Sequence, residues 1–281
     1  MKGNKKVFVL GIFILTLAWA GNLWYFYNHQ LSEPLFLKHF YELRNMEQME
    51  IYYVDNASAK DTFFYISFPQ IHSDPLPVNV SMSSQNGKYY KINRMSINLN
   101  HLWLQGGKQA KDLLEKDPVL LTRMLVQDSK GKRTEVDIGK IYLSPSGQTN
   151  KSLKAQSTFG SNNNSGGVSF KAENAVEITN IETSFLDELC TYANVSINNV
   201  PIKDIPLPIK LESGGTLAGN YAFNFNDASV SGRMSVFNIH LYLSGTDSKG
   251  ESTAAGFYIH SIPYHFRTAD IQALRAEKGG K

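Results

Sequence analysis

The sequence predicts an all-β chain behind one membrane span: one or two antiparallel β-sandwiches of immunoglobulin-like build following an N-terminal transmembrane helix. Three observations carry this. A long run without charge opens the chain, short runs with period-two alternation fill most of the rest, and Asn, Asp, Gly, Pro and Ser punctuate those runs at close spacing. With 281 residues and 42% apolar composition, the chain has enough length and apolar content to bury one large core or two ordinary ones, which excludes disorder of the whole.

Residues 1–6 form a basic tail, with Lys2, Lys5 and Lys6 ahead of the first acidic residue, Glu33. Set those three lysines aside and basic and acidic residues balance at 25 each. The basic pI therefore reports a membrane-orienting tail, and nucleic acid is not an expected partner. Residues 7–27, VFVLGIFILTLAWAGNLWYFY, are the expected span and the expected contact with the lipid bilayer. By the positive-inside rule the N-terminus stays cytoplasmic and the rest lies outside, with Trp24 to Tyr27 at the outer interface. A signal peptide cleaved after Ala20 is the competing reading, because Ala18-Trp19-Ala20 fits a small-x-small site; it gives a secreted protein. The apolar residues continuing past Ala20 favour the anchor.

Residues 28–48 read as a juxtamembrane segment. Ser32-Glu33-Pro34 suits a helix start, and Phe36, Phe40 and Leu43 would share a face of that helix. Residues 49–145 form the first β-rich domain, through MEIYYV, DTFFYISF, VNVSMS, KYYKINRMSINLN, VLLTRMLVQ and TEVDIGKIYL. Met95, Ile97 and Leu99 alternate with Arg94, Ser96 and Asn98, so one face is wet. Gln85-Asn86-Gly87 and Ser129-Lys130-Gly131 are expected tight turns, and Ala110 to Lys116 reads as helical. Residues 146–167, rich in Ser, Asn and Gly, read as a linker or long loop that separates two domains.

Residues 168–281 form the second β-rich domain. Phe237, Ile239, Leu241 and Leu243 alternate with Asn238, His240 and Tyr242, as a half-buried strand requires. Ser184 to Tyr192 and Thr268 to Lys278 are expected helices, the second with Thr268 as cap, Asp270 in its first turn and Gly279 at its stop. Asp128-Ser129-Lys130-Gly131 recurs as Asp247-Ser248-Lys249-Gly250. Tandem related sandwiches and convergent turn chemistry both account for the repeat.

Candidate chemistry is sparse, and no catalytic, cofactor-binding or metal-ligating residue is assigned. His240, His260 and His265 are the nearest approach to a metal set, but residues five apart on a strand face opposite sides and Pro263 intervenes. His29, His39, His72 and His101 are expected at surfaces or interfaces. Cys190, beside Asp187 and Glu188, is expected to be a buried structural residue; a lone cysteine makes no internal disulfide, which fits a bacterial envelope protein. The Ser129 to Lys132 match to an acyl-transfer motif lies across a turn. Trp103 is expected to close a core and not to stack on sugar. Five glycosylation-type sequences, at Asn56, Asn79, Asn150, Asn163 and Asn194, matter only in a eukaryotic secretory route.

The resulting expectation is a non-enzymatic interaction or accessory protein of the bacterial cell envelope, without cofactors, whose partner is another envelope protein or a wall component. A sensory domain or a polysaccharide or small-ligand binder is the alternative, with an envelope hydrolase behind it.

Overall fold

Because a helix satisfies its own backbone and lipid-like side chains gain nothing from water, the charge-free run folds as one helix, α1 (Gly3–Asn28). It is the one helix among the described residues long and apolar enough to cross a membrane, and none of its apolar stretch is buried against the rest of the protein. The chain is described by a computed structural model over residues 3–44, 48–60, 63–99, 118–144, 152–226, 228–263 and 266–279. The expected helix at Ala110 to Lys116 lies outside the described residues, as do Trp103, His101, Asn150 and His265.

Beyond α1 the alternating runs form strands that build two sandwiches. The strands of the first are β1 (Leu35–Phe36), β2 (His39–Arg44), β3 (Gln48–Asn56), β4 (Phe63–Phe68), β5 (His72–Pro77), β6 (Asn79–Asn86), β7 (Tyr90–Asn98), β8 (Val119–Asp128) and β9 (Arg133–Ser144). A four-stranded sheet in the order β1-β3-β7-β6 packs on β2, β9, β8, β4 and β5. Met95 and Ile97 point into that core while Arg94 and Asn98 face solvent, as their alternation predicts.

The second sandwich uses β10 (Leu153–Ser161), β11 (Ser165–Ala172), β12 (Val176–Glu182), α2 (Leu186–Tyr192), β13 (Ala193–Ile197), β14 (Val200–Pro201), β15 (Ile209–Leu211), β16 (Thr216–Phe223), α3 (Val230–Arg233), β17 (Val236–Asp247), β18 (Ser252–Ser261) and α4 (Thr268–Glu277). Its five-stranded sheet, β10-β11-β16-β13-β14, covers β15, β12, β17 and β18.

The two sandwiches share one nine-stranded sheet, joined where β2 pairs parallel with β17 and with β9. β17 is long enough to take β18 along one edge, and β2 and then β12 along the other. Side-chain alternation on β2 explains the arrangement: His39, Tyr41 and Leu43 enter the first core, whereas Phe40 packs against the second. The same parity holds for Ile141 against Tyr142 and for Val236 against Phe237. Each inner sheet thus covers an opposite face of the shared one. The mixed sheet adds two parallel pairs to the antiparallel pattern expected of the sandwiches.

Three local expectations are corrected. The segment from Ser32 to Leu43 carries strands β1 and β2 and no juxtamembrane helix, because pairing with β3, β9 and β17 satisfies the strands' backbone while burying Phe36 and Leu43. Over 152–167 the linker-like composition belongs to the β10–β11 hairpin. A Cβ at Gly167 would come within 2.5 Å of the Gly219 carbonyl, so glycine there allows close strand approach and does not signal a mobile chain. The polar residues of β10 suit an exposed edge. At α4 the cap is Arg267, not Thr268: Asp270 Oδ2 accepts from the Arg267 backbone N–H at 2.8 Å. Gly279, with φ of 74°, follows the end of α4 as its composition suggests.

The repeated tetrapeptide folds identically in both places. Asp128 Oδ1 accepts from the N–H groups of Lys130 and Lys132, both at 2.9 Å, and Asp247 Oδ1 from those of Lys249 and Glu251 at 2.9 and 3.0 Å. Gly131 and Gly250 follow at φ of 80° and 78°. The turn's own chemistry accounts for the match.

Glu42 ties the sandwiches together. Its buried carboxylate on β2 accepts from the Ser184 N–H at 3.0 Å and from Thr183 Oγ1 at 3.2 Å, just ahead of α2. Glu42→Ala is expected to lower stability by about 2 kcal/mol, since buried donors lose a charged partner. Thermal unfolding checks it; an unchanged midpoint would contradict the bridging role.

Candidate functional site at the end of the N-terminal helix

The first sandwich begins within a few residues of the end of α1 at Asn28, its first strand starting at Leu35. His29 is buried there: its Nδ1 lies 2.7 Å from the Tyr25 carbonyl, and its ring sits 4.2 Å from Tyr25 and is stacked 4.8 Å from Tyr89. Two residues on, the Leu31 N–H donates to Asn56 Oδ1 at 2.8 Å, while Asn56 Nδ2 donates back to the Leu31 carbonyl at 2.9 Å. From α4, Arg275 Nη1 donates to the Gln30 carbonyl at 3.3 Å, and from the residue that caps its end, Lys278 Nζ donates to that of Phe36. The C-terminal helix and β3 together grip the segment leaving α1.

Below this junction a cleft of about 250 Å³ opens between residues 32–34 and the β8–β9 hairpin, with Phe36, Asp55, Phe63 and Val126 in its wall. Its charged groups are engaged in structure. Lys132 Nζ pairs with Glu33 at 2.8 Å, Asp128 holds its turn, and Asp55 Oδ1 accepts from the Asn56 N–H at 2.7 Å. The Ser129 to Lys132 match is thus spent on the turn and on the Glu33 ion pair.

A second exposed feature lies on the outer face of β17 and β18. His260 is opposite Asn238 and Tyr258 opposite His240, so the two histidines share a face two residues apart in register. The His240 ring lies 3.8 Å from Tyr242 and 4.5 Å from Tyr258, and a Cβ at Gly256 would strike it at 2.7 Å. No group of three or more His, Cys, Asp or Glu among the described residues is placed to hold a metal ion.

Other sequence candidates fall elsewhere. Cys190 is half-buried on α2, not buried as expected; Leu189 beside it fills the core position. Of the histidines expected at surfaces or interfaces, His29 and His39 are buried where elements meet and not at the surface. His39 joins three strands: Nδ1 lies 3.0 Å from the Ile138 carbonyl, and Nε2 accepts from the Tyr52 N–H at 2.9 Å. Since a carbonyl only accepts and an N–H only donates, the proton sits on Nδ1 and the ring is neutral. Of the glycosylation-type asparagines, Asn56 has its amide committed to Leu31. Nothing in sequence spacing marks the His29, Tyr89 and Asn56 junction, because its members meet only through the fold.

No family model matches the chain, and no curated protein matches it. Among solved structures, a chicken TCR is similar over 82% of this chain and 100% of its own, at 9% identity and a TM-score of 0.21. Two marsupial T cell receptor structures, also at 9% identity and 82% of this chain, cover 62% and 95% of their own with TM-scores of 0.23 and 0.22.

Proposed function

We propose that the protein is a non-enzymatic interaction protein of the bacterial cell envelope, anchored by α1 with its basic tail in the cytoplasm, which holds its paired sandwiches at a fixed height above the outer membrane face for another envelope component to bind. The observation that carries this is the gripped junction: Asn56, His29, Arg275 and Lys278 leave no slack between anchor and domain. An enzyme acting on diffusing substrates has no need of such fixed height, whereas a docking platform for a membrane neighbour does. Lys2, Lys5 and Lys6 before the span support the orientation, and the single cysteine supports the setting.

A second reading, binding of a polysaccharide or small ligand, is favoured by the outer face of β17 and β18, where Tyr258 is 40% exposed beside His240 and Tyr242.

The test is full-length protein expressed in a bacterial host. Intact mass should show an uncleaved chain in the membrane, external protease should remove the sandwiches from spheroplasts, and photo-crosslinkers on exposed strand faces should capture one envelope partner. A soluble product starting at Gly21 would overturn the anchor. Absence of a crosslinked partner, together with Tyr258→Ala abolishing retention on wall polysaccharide, would transfer the assignment to the ligand-binding reading.

A further inference from the structure

The height at which the first sandwich sits follows from α1. Tyr25 lies three residues before the end of the helix at Asn28, so at about 1.5 Å per residue it is some 4–5 Å inside that end. A headgroup layer is roughly 5–7 Å thick on each side of the hydrocarbon. The Tyr89 ring, 6.0 Å from Tyr25 and 4.8 Å from His29, therefore lies at headgroup depth if α1 spans the bilayer.

Tyr89 does not come from the anchor. It is delivered by the turn between β6 and β7, and so is Lys88, whose exposed side chain reaches over the Tyr89 ring with Nζ 5.0 Å from its centroid. The turn is held in place from both sides: Gly87 N donates to the Tyr90 carbonyl at 2.8 Å, Ala57 N to that of Tyr89 at 2.7 Å, and the Phe266 ring closes on Gly87. An aromatic ring with a lysine above it is the composition that headgroup regions favour: the ring sits among glycerol and carbonyl groups and the cation reaches phosphate.

We propose that the β6–β7 turn, through Lys88 and Tyr89, is a second membrane contact that seats the sandwich pair on the phospholipid headgroups of the leaflet in which α1 ends. The proposal rests on α1 being embedded and is independent of any envelope partner. With two points of attachment the domain has a defined tilt. β2 runs away from the junction, with His39 beside Tyr52 and Tyr41 beside Glu50 farther from the Asn56 end of β3, and β17, which runs parallel to β2, carries the β17–β18 hairpin to the distal end.

Full-length protein with Cys190→Ser, reconstituted in phospholipid vesicles, tests this with a fluorophore placed in turn at Leu17→Cys, Ser58→Cys and Lys249→Cys; exposed Ser58 neighbours Ala57, whose N–H donates to the Tyr89 carbonyl, and the label there leaves Lys88 and Tyr89 in place. The Leu17 position should be quenched by lipids carrying a nitroxide on the acyl chain. The Ser58 position should be quenched by lipids carrying it on the headgroup, and the Lys249 position by neither. Quenching at Leu17 with Ser58 behaving like Lys249 would overturn the seating and leave the anchor standing. Loss of quenching at Leu17 would overturn the anchor and the seating together. Far-ultraviolet circular dichroism on each labelled protein confirms that the β-structure is retained, so either result reads on depth.

Discussion

Gly139→Ala is expected to destabilise the protein by about 3 kcal/mol or more, lowering the thermal midpoint by about 10 °C. Gly139 lies on β9 at φ of 91°, in a bulge where Leu121 pairs with Ile141 but Arg123 with Asp137. A Cβ there would lie 2.5 Å from both the backbone N and the carbonyl O of His39. A side chain must therefore adopt a left-handed conformation and also push β2 away, and β2 is the strand that joins the two sandwiches. Gly131→Ala separates the two effects, because Gly131 has a similar φ of 80° but only the end of Gln127 at 4.0 Å. Its cost is expected to be about 1 kcal/mol, the conformational penalty alone. Equal losses in the two variants, measured by thermal unfolding in the same detergent, would contradict the close-approach account.

How much of this architecture the sequence discloses depends on how local its cause is. Period-two alternation at Met95 and Ile97, and again from Phe237 to Leu243, reports burial directly, and both strands lie where that pattern puts them. The Asp-Ser-Lys-Gly turns are equally local, since their hydrogen bonds close within five residues. The misread segments are those whose cause is distant. Ser32 to Leu43 has apolar spacing compatible with a helix, but β2 gains partners 99 and nearly 200 residues away in β9 and β17, which no local pattern reveals. The Ser, Asn and Gly content of 152–167 suits a linker and an edge hairpin equally; strand approach around Gly166 and Gly167 decides between them.

The candidate site was less legible than the fold for the same reason. Helix α1 is read from composition over one contiguous stretch, but the grip on its end needs Leu31 and Asn56, Gln30 and Arg275, and Phe36 and Lys278 to meet. Each pair is brought together by sheet register and by the return of the C-terminal helix to the first core through Ile271 and Leu274. The sequence boundary between halves therefore does not separate the cores cleanly: the last helix of the chain seals the first one.

Acidification from pH 7 to pH 5 is expected to remove about 2 kcal/mol of stability through His39 alone. Burial pushes its pKa down to about 4 from the ordinary 6.5 and outweighs the Ile138 carbonyl, which favours the charged ring; Lys278 adds a smaller push downward and Asp137 a smaller one upward. Between those two pKa values the unfolded chain binds a proton that the folded chain refuses, so stability falls as pH drops through 6.5 and the loss is complete below about 4. The physical basis is the tautomer: protonating Nε2 would set an N–H against the Tyr52 N–H that now donates to it at 2.9 Å. His39→Ala removes the titration but leaves the Tyr52 N–H and the Ile138 carbonyl buried without this partner, at a cost of about 3–4 kcal/mol at pH 7. The variant should thus start lower and fall less steeply, narrowing its gap to the parent by about 2 kcal/mol at pH 5. Thermal melts of both proteins across that range decide the matter: parallel pH profiles would show that other groups, and not His39, set the acid sensitivity of the joint between the sandwiches.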